Sequence, residues 1–263
     1  MKKRLLAIFA LLFALSGVAY AHNPRIVESG AVTNINNPEI SQAFYGELNG
    51  KPQQYFIKTI EPFKLYTGLL VPDLPGSTKN FSAEILQVGK YLDSAGKDAS
   101  GENVTGFGGK KATLFNLDGA KTEWKRFYED FGDDWYWQGP ESAPMGSPIA
   151  TSPAGLYEIK VSNPGNSGKY VLVVGATESW GAGEILNALI TMPREKIFFE
   201  KSPFTAYFNR IGLYMFGPVI LLILAGLGIW LWIRRRNAEK EKGVKGLLHR
   251  IAKFLTKRWF RRE

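Results

Sequence analysis

Residues 211–233 form a run of 23 positions without a charge, and Arg234, Arg235 and Arg236 follow at once. Backbone inside a bilayer must satisfy its own hydrogen bonds, so such a run folds as a helix or not at all. At 1.5 Å per residue it reaches about 34 Å, long enough to cross the hydrocarbon core with some tilt. Tyr214 near one end and Trp230 and Trp232 near the other suit the two interfaces. The arginines are expected to stay in the cytoplasm. This predicts a single-pass protein of the cell (inner, cytoplasmic) membrane, with residues before 211 outside and a tail over 234–263 inside.

The first residues agree with that orientation. Lys2, Lys3 and Arg4 precede an apolar run over 5–18 and then Ala19, Tyr20 and Ala21. This is the pattern of a secretory signal peptide over 1–21, with cleavage expected after Ala21 and His22 as the new terminus.

Charge is unevenly spread. The formal net charge of +9 suggests a nucleic-acid partner until it is divided along the chain. Residues 22–210 hold 18 Lys/Arg against 21 Asp/Glu, whereas 234–263 hold 12 against 3. The large middle region is slightly acidic, so no nucleic-acid face is expected there. In the tail, Val244, Leu247, Leu248, Ile251, Leu255 and Trp259 recur at helical spacing among basic residues. A basic amphipathic helix follows, with Arg234, Arg235, Arg236, Lys253, Lys257, Arg258 and Trp259 as its membrane-surface residues and the lipid bilayer as partner. A plain topology anchor is the simpler alternative.

Between 22 and 180, short β-branched and aromatic runs alternate with Gly, Pro, Asn and Asp. Strands are expected at 41–48, 55–60, 64–71, 81–88, 112–117, 123–128, 155–162 and 169–175. Around eight short strands imply an all-β domain, an antiparallel, jelly-roll-like β-sandwich over 22–180, with a closed barrel as alternative. The turn-like sequence at 162–168 suggests that its flanking strands form a hairpin. Helical spacing appears at Ile185, Leu186, Leu189 and Ile190, and Pro193 is expected to end it, within a juxtamembrane connector over 181–210. The chain has no cysteine, which excludes disulfides, thiolate zinc sites and a lipoprotein anchor.

Two stretches resemble a known family. Gly155-Leu156-Tyr157-Glu158-Ile159-Lys160-Val161, then Gly168-Lys169-Tyr170-Val171-Leu172-Val173-Val174, looks like the final hairpin of bacterial pre-peptidase C-terminal-like domains. Gln54-Tyr55-Phe56-Ile57 and the strand after it are similar to that family's opening strands. The resemblance, about residues 41–175, implies an accessory jelly-roll module that binds ligands or partners without catalysing a reaction. No catalytic domain precedes it in this chain, and a stretch from about 89 to 110 looks inserted.

Local chemistry concentrates at 129–137. Glu129, Asp130, Asp133 and Asp134 could offer oxygens to calcium, although their spacing is not that of an EF-hand loop. Trp135, Tyr136 and Trp137 could form a flat platform for a sugar ring or a partner protein. The plain alternative is an acidic loop whose aromatics cap the sandwich. His22 could chelate copper only with a second imidazole, and the sole other histidine, His249, lies in the tail. Histidine- or cysteine-based nucleophilic catalysis lacks its residues in the middle region. A glycosidase could work with two carboxylates of the acidic segment. The expectation is a non-catalytic, membrane-anchored module that binds an envelope protein or glycan. A carbohydrate-active enzyme and a calcium-dependent adhesion module are the alternatives.

Overall fold

The computed structural model describes residues 22–90, 112–129, 133–144, 147–179 and 182–259. The expected signal peptide, most of the inserted stretch and Asp130 lie outside these residues. Among the described residues there are thirteen strands. The first seven are β1 (Asn23–Ile26), β2 (Thr33–Ile35), β3 (Gln42–Asn49), β4 (Gln53–Thr59), β5 (Phe63–Lys64), β6 (Thr67–Pro72) and β7 (Ser82–Lys90). The rest are β8 (Ala112–Leu117), β9 (Lys125–Glu129), β10 (Asp134–Glu141), β11 (Thr151–Ser152), β12 (Gly155–Ser162) and β13 (Ser167–Val174). Helix α1 (Ala182–Phe198), a 3-10 turn (Pro203–Tyr207) and helix α2 (Arg210–Trp259) follow.

Six strands make one sheet in the order β1-β3-β13-β6-β10-β9, and five make a second in the order β2-β4-β12-β7-β8. β5 pairs separately with β11. The pairs β1–β3 and β2–β4 are parallel, so each sheet is mixed at one margin. Period-two alternation builds the core between the sheets. Tyr157, Ile159 and Val161 of β12 are fully buried, as are Tyr170, Leu172 and Val174 of β13. Each such side chain contributes about 1.5–3 kcal/mol by leaving water. The hydroxyls of Tyr55 and Tyr170 meet at 2.7 Å inside this core, one from each sheet. Gly46 makes room for that contact, since a Cβ there would lie 2.6 Å from the Tyr170 hydroxyl.

The hairpin expected from 155–162 and 169–175 does not form. β12 pairs with β4 and β7, whereas β13 pairs with β3 and β6 in the other sheet. The turn between them is an arch. Asn163 braces it by donating to the Ser167 carbonyl at 2.8 Å and accepting from the Ser167 amide at 3.1 Å. Asn166 takes a left-handed φ of 44°, which asparagine tolerates better than most residues.

β13 is also buried on its second face. Val171 and Val173 join Ala43, Tyr45, Tyr136 and Phe199 in a second apolar cluster, with Phe198 packed against it. Thus the six-stranded sheet lies between the five-stranded sheet and α1. The connector is part of the domain rather than a spacer, and the chain divides into two units between Ile211 and Gly212. Pro193 does not end α1, which runs on to Phe198. Burial of Met192 before the proline and of Phe199 beyond it outweighs its cost in a helix interior, roughly 3 kcal/mol.

Helix α2, most of which lies in the second unit, is one helix of 50 residues, so the apolar run and the basic stretch after it form a single continuous element. Its segment Phe216–Glu239 is long and apolar enough to cross a membrane. Val219, Leu222, Leu224 and Ile229 within it are exposed.

Candidate functional site

The aromatic segment 135–137 lies in a strand, not in a loop. Alternation along β10 sends Asp134 and Tyr136 to one face of the sheet and Trp135 and Trp137 to the other. Tyr136 is therefore removed from the expected three-ring platform. It is buried, stacks with Phe127 at 5.6 Å and meets the edge of Phe199 at 5.1 Å.

On the opposite face, cross-strand pairing supplies a different partner. Trp135 stands opposite Tyr128 of β9, with ring centroids 5.0 Å apart, and both rings are open to solvent. The Arg126 guanidinium lies 4.1 Å from the Trp135 ring centroid, within cation–π range. Arg126 Nε also donates to Asp73 Oδ2 at 2.7 Å, while Trp137 Nε1 donates to Asp73 Oδ1 at 2.7 Å. Lys79 sits 3.8 Å over the Trp137 ring. Partial burial pushes the Asp73 carboxyl up, but the hydrogen bonds from Trp137 and Arg126, with the charges of Arg126 and Lys79, outweigh it and hold it below the usual carboxylate range. Gly139 admits the Trp124 ring beside this face, because a Cβ there would lie 2.4 Å from it. The result is a ridge of two open rings, flanked by a fixed cation and a fixed carboxylate.

The buried acidic residue serves the other face. Asp134 is fully buried, and its two oxygens accept from Lys196 of α1 and from Lys201 just beyond it. With both oxygens taken by ammonium groups, Asp134 is not an open calcium ligand, nor an accessible member of a catalytic carboxylate pair. Asp133 has a left-handed φ of 63° and accepts from the Tyr128 hydroxyl. Glu129 faces Asp134 across the strand pair. Among the described residues, no group of three or more His, Asp or Glu is placed to hold a metal. His22 hydrogen-bonds to Ser41, and burial lowers its pKa to about 4.

Glu195 completes the buried polar cluster. Its Oε1 accepts from the Tyr45 hydroxyl at 3.0 Å, and the Tyr136 hydroxyl lies 3.2 Å from that of Tyr45. Burial raises the Glu195 pKa to about 7, against the pull of Lys196 and with the help of the Asp134 charge. Burial and the Glu195 charge push the Tyr45 hydroxyl far above its usual range. This cluster pins α1 to the sheet.

One concavity of about 300 Å³ opens elsewhere, lined by Leu65, Leu114, Phe115, Ile149, Thr151 and Ser152 among others, and no side chain of its lining ionises. On α2, Arg234 lies 5.4 Å from the Trp230 ring and Arg236 lies 4.7 Å from the Trp232 ring, one helical turn back in each case. Arg235 is exposed between them, and Lys253, Lys257, Arg258 and Trp259 fall on the same continuous helix.

Tyr128, Arg126, Asp73 and Lys79 were not singled out in the sequence. The signal for Tyr128 and Arg126 is the alternation of β10, which separates Tyr136 from its neighbours, and the charged, aromatic alternation of the strand opposite it; Asp73 and Lys79, between β6 and β7, carry no local signal.

Neither a protein-family model nor a curated protein matches the sequence. Among solved structures, the chain is similar to the pre-peptidase C-terminal domain of a collagenase from Bacillus anthracis. That match has 8% identity and a TM-score of 0.28, and covers 55% of this chain and 93% of the other. It is also similar to CorA, described as a surface-associated copper-binding protein important in copper acquisition by Methylomicrobium album BG8. Here the identity is 9% and the TM-score 0.24, covering 59% of this chain and all of the other. At these scores neither likeness carries an argument about ligand or activity, and the chain keeps a weak resemblance in its β domain to pre-peptidase C-terminal modules.

Proposed function

We propose that this protein is a membrane-anchored, non-catalytic binding module that displays its β domain outside the cytoplasm and holds a glycan on the Trp135–Tyr128 ridge. The observation that carries the reading is the pair of open rings with Arg126 and Asp73 fixed beside them. Apolar C–H faces of a sugar ring stack on aromatic faces, and its hydroxyls accept from a neighbouring cation and donate to a neighbouring carboxylate. The ridge holds its polar groups in place before a ligand arrives, which lowers the ordering cost of binding. The apolar span of α2 with Arg234, Arg235 and Arg236 behind it supports the anchor and its orientation.

The test is a glycan array probed with the full chain in nanodiscs, followed by titration of any hit with Trp135→Ala and Tyr128→Ala. Loss of one stacking ring should weaken binding roughly tenfold, equivalent to about 1.4 kcal/mol. A ligand bound equally well by both variants would remove the ridge from the reading. Release of a shortened glycan with time would overturn the non-catalytic part.

A further inference from the structure

α1 is apolar on two opposite sides. Ala188, Met192, Glu195 and Phe199 lie on or beside the buried side, against the six-stranded sheet. Leu186, Ile190 and Ile197 stand at positions i, i+4 and i+11, one stripe facing the other way, and each is at least 59% exposed. The 3-10 turn extends this surface, because Phe204 and Phe208 are 76% and 86% exposed and the turn is tied back to α1 by the Tyr207 hydroxyl on the Leu189 carbonyl at 2.8 Å. A water-facing helix side is normally polar, and five large apolar side chains on two joined segments call for an occupant.

Chain length and charge identify it. Eight steps along the chain lead from Phe208 to Phe216, where the apolar span begins. Six of these steps are helical at 1.5 Å each, so Phe208 stays within about 16 Å of the span's first residue. Arg194 is exposed beside the stripe. An apolar stripe with a cation at its edge suits the boundary between headgroups and acyl chains.

We propose that Leu186, Ile190 and Ile197, with Phe204 and Phe208, seat in the interfacial layer of a lipid bilayer, making α1 a second, monotopic membrane contact. This rests on the reading that α2 spans the membrane. One helix then serves two surfaces: its Glu195 and Lys196 side fastens the sheet, and its outer stripe fastens lipid.

The chain has no cysteine, so single nitroxide labels can be placed without background. Full chains carrying Ile190→Cys, Ile197→Cys or Phe204→Cys would be reconstituted in phosphatidylcholine–phosphatidylglycerol vesicles and compared with Lys51→Cys and Leu224→Cys. Relaxation by oxygen and by a water-soluble nickel chelate is then read at each site. The expected result is an oxygen-to-nickel ratio several-fold above that of Lys51→Cys at all three stripe positions. Stripe labels that behave like Lys51→Cys, while Leu224→Cys favours oxygen, overturn the docking and leave the anchor standing. Nickel preference at Leu224→Cys overturns the anchor and the docking with it. Spin–spin broadening at Ile190→Cys that disappears on dilution with unlabelled chain assigns the stripe to a second copy, and so overturns the lipid assignment.

Discussion

Lys196 in the last turn of α1 and Asp134 at the start of β10 form an ion pair whose side chains are 3% and 0% exposed. The pair joins the helix to the sheet and is completed by Lys201, which reaches the second Asp134 oxygen at 2.5 Å. Removing one partner of such a pair leaves a charge in a medium that solvates it poorly, which is costlier than never having had the pair.

Asp134→Asn should therefore destabilise the β domain by about 3–5 kcal/mol, since Lys196 keeps its charge and loses its counter-ion. Lys201→Met, at a side chain 43% exposed, should cost no more than about 1 kcal/mol. Urea denaturation of the full chain in detergent, followed by tryptophan fluorescence, separates the two. Equal shifts in the midpoint would contradict the buried pair as the main fastening.

Glu195 makes the same fastening depend on pH. Its pKa is about 7 in the folded protein against 4.5 ordinarily, so the folded state holds the proton more tightly than the unfolded chain. Its contribution is full below pH 4.5 and is lost as pH rises through about 7, by about 3 kcal/mol in all. His22 acts with the opposite sign, its contribution present above 6.5 and lost as pH falls through about 4. Glu195→Gln keeps an acceptor for Tyr45 and removes the titration. The difference between wild type and variant, in which His22 cancels, should move in favour of the variant as pH is raised from about 4.5 to about 7, and level off above that. A difference independent of pH would mean that Glu195 does not hold a proton in this range.

The Tyr55–Tyr170 hydroxyl pair offers a test of the core. Tyr170→Phe leaves the Tyr55 hydroxyl buried without its partner and should cost about 1–3 kcal/mol. Adding Tyr55→Phe removes the stranded group, so the double variant should lose less than the sum of the two single changes. A strictly additive cycle in thermal denaturation would show that the two hydroxyls are not coupled.

The strands were legible where one physical signal sufficed. Tyr157, Ile159 and Val161 alternate with charged neighbours, and β12 runs over the residues that this pattern marks. Tyr170 to Val174 of β13 is apolar at every position, the pattern of a strand covered on both faces. The cover is α1, which continues through Pro193 because its buried side packs on the sheet. The arch at Asn163 reads locally like a hairpin turn, because turn chemistry states that the chain reverses and not which sheet receives it. The fastening of Lys196 to Asp134 joins residues 62 positions apart, and no local pattern announces a contact of that kind. The ridge lay between these cases, since period two alone separates Tyr136 from Trp135 while the pairing of Trp135 with Tyr128 needs the register of β9.

That separation of faces yields a paired prediction. Trp135→Ala removes a ring 42% exposed that touches Tyr128 and Arg126, and should cost about 1 kcal/mol or less in stability. Tyr136→Ala, one residue along, removes a buried ring that packs on Phe127 and Phe199 and a hydroxyl beside Tyr45, and should cost about 3–5 kcal/mol. Ligand binding should follow the reverse order at temperatures where both variants remain folded: weakened by Trp135→Ala and nearly unchanged by Tyr136→Ala. Denaturant midpoints measure the first ordering, and titration of the array hit measures the second. If Tyr136→Ala in its folded form also abolished binding, the α1-facing side of the sheet would be part of the ligand site. The two faces of β10 would then be coupled through the strand.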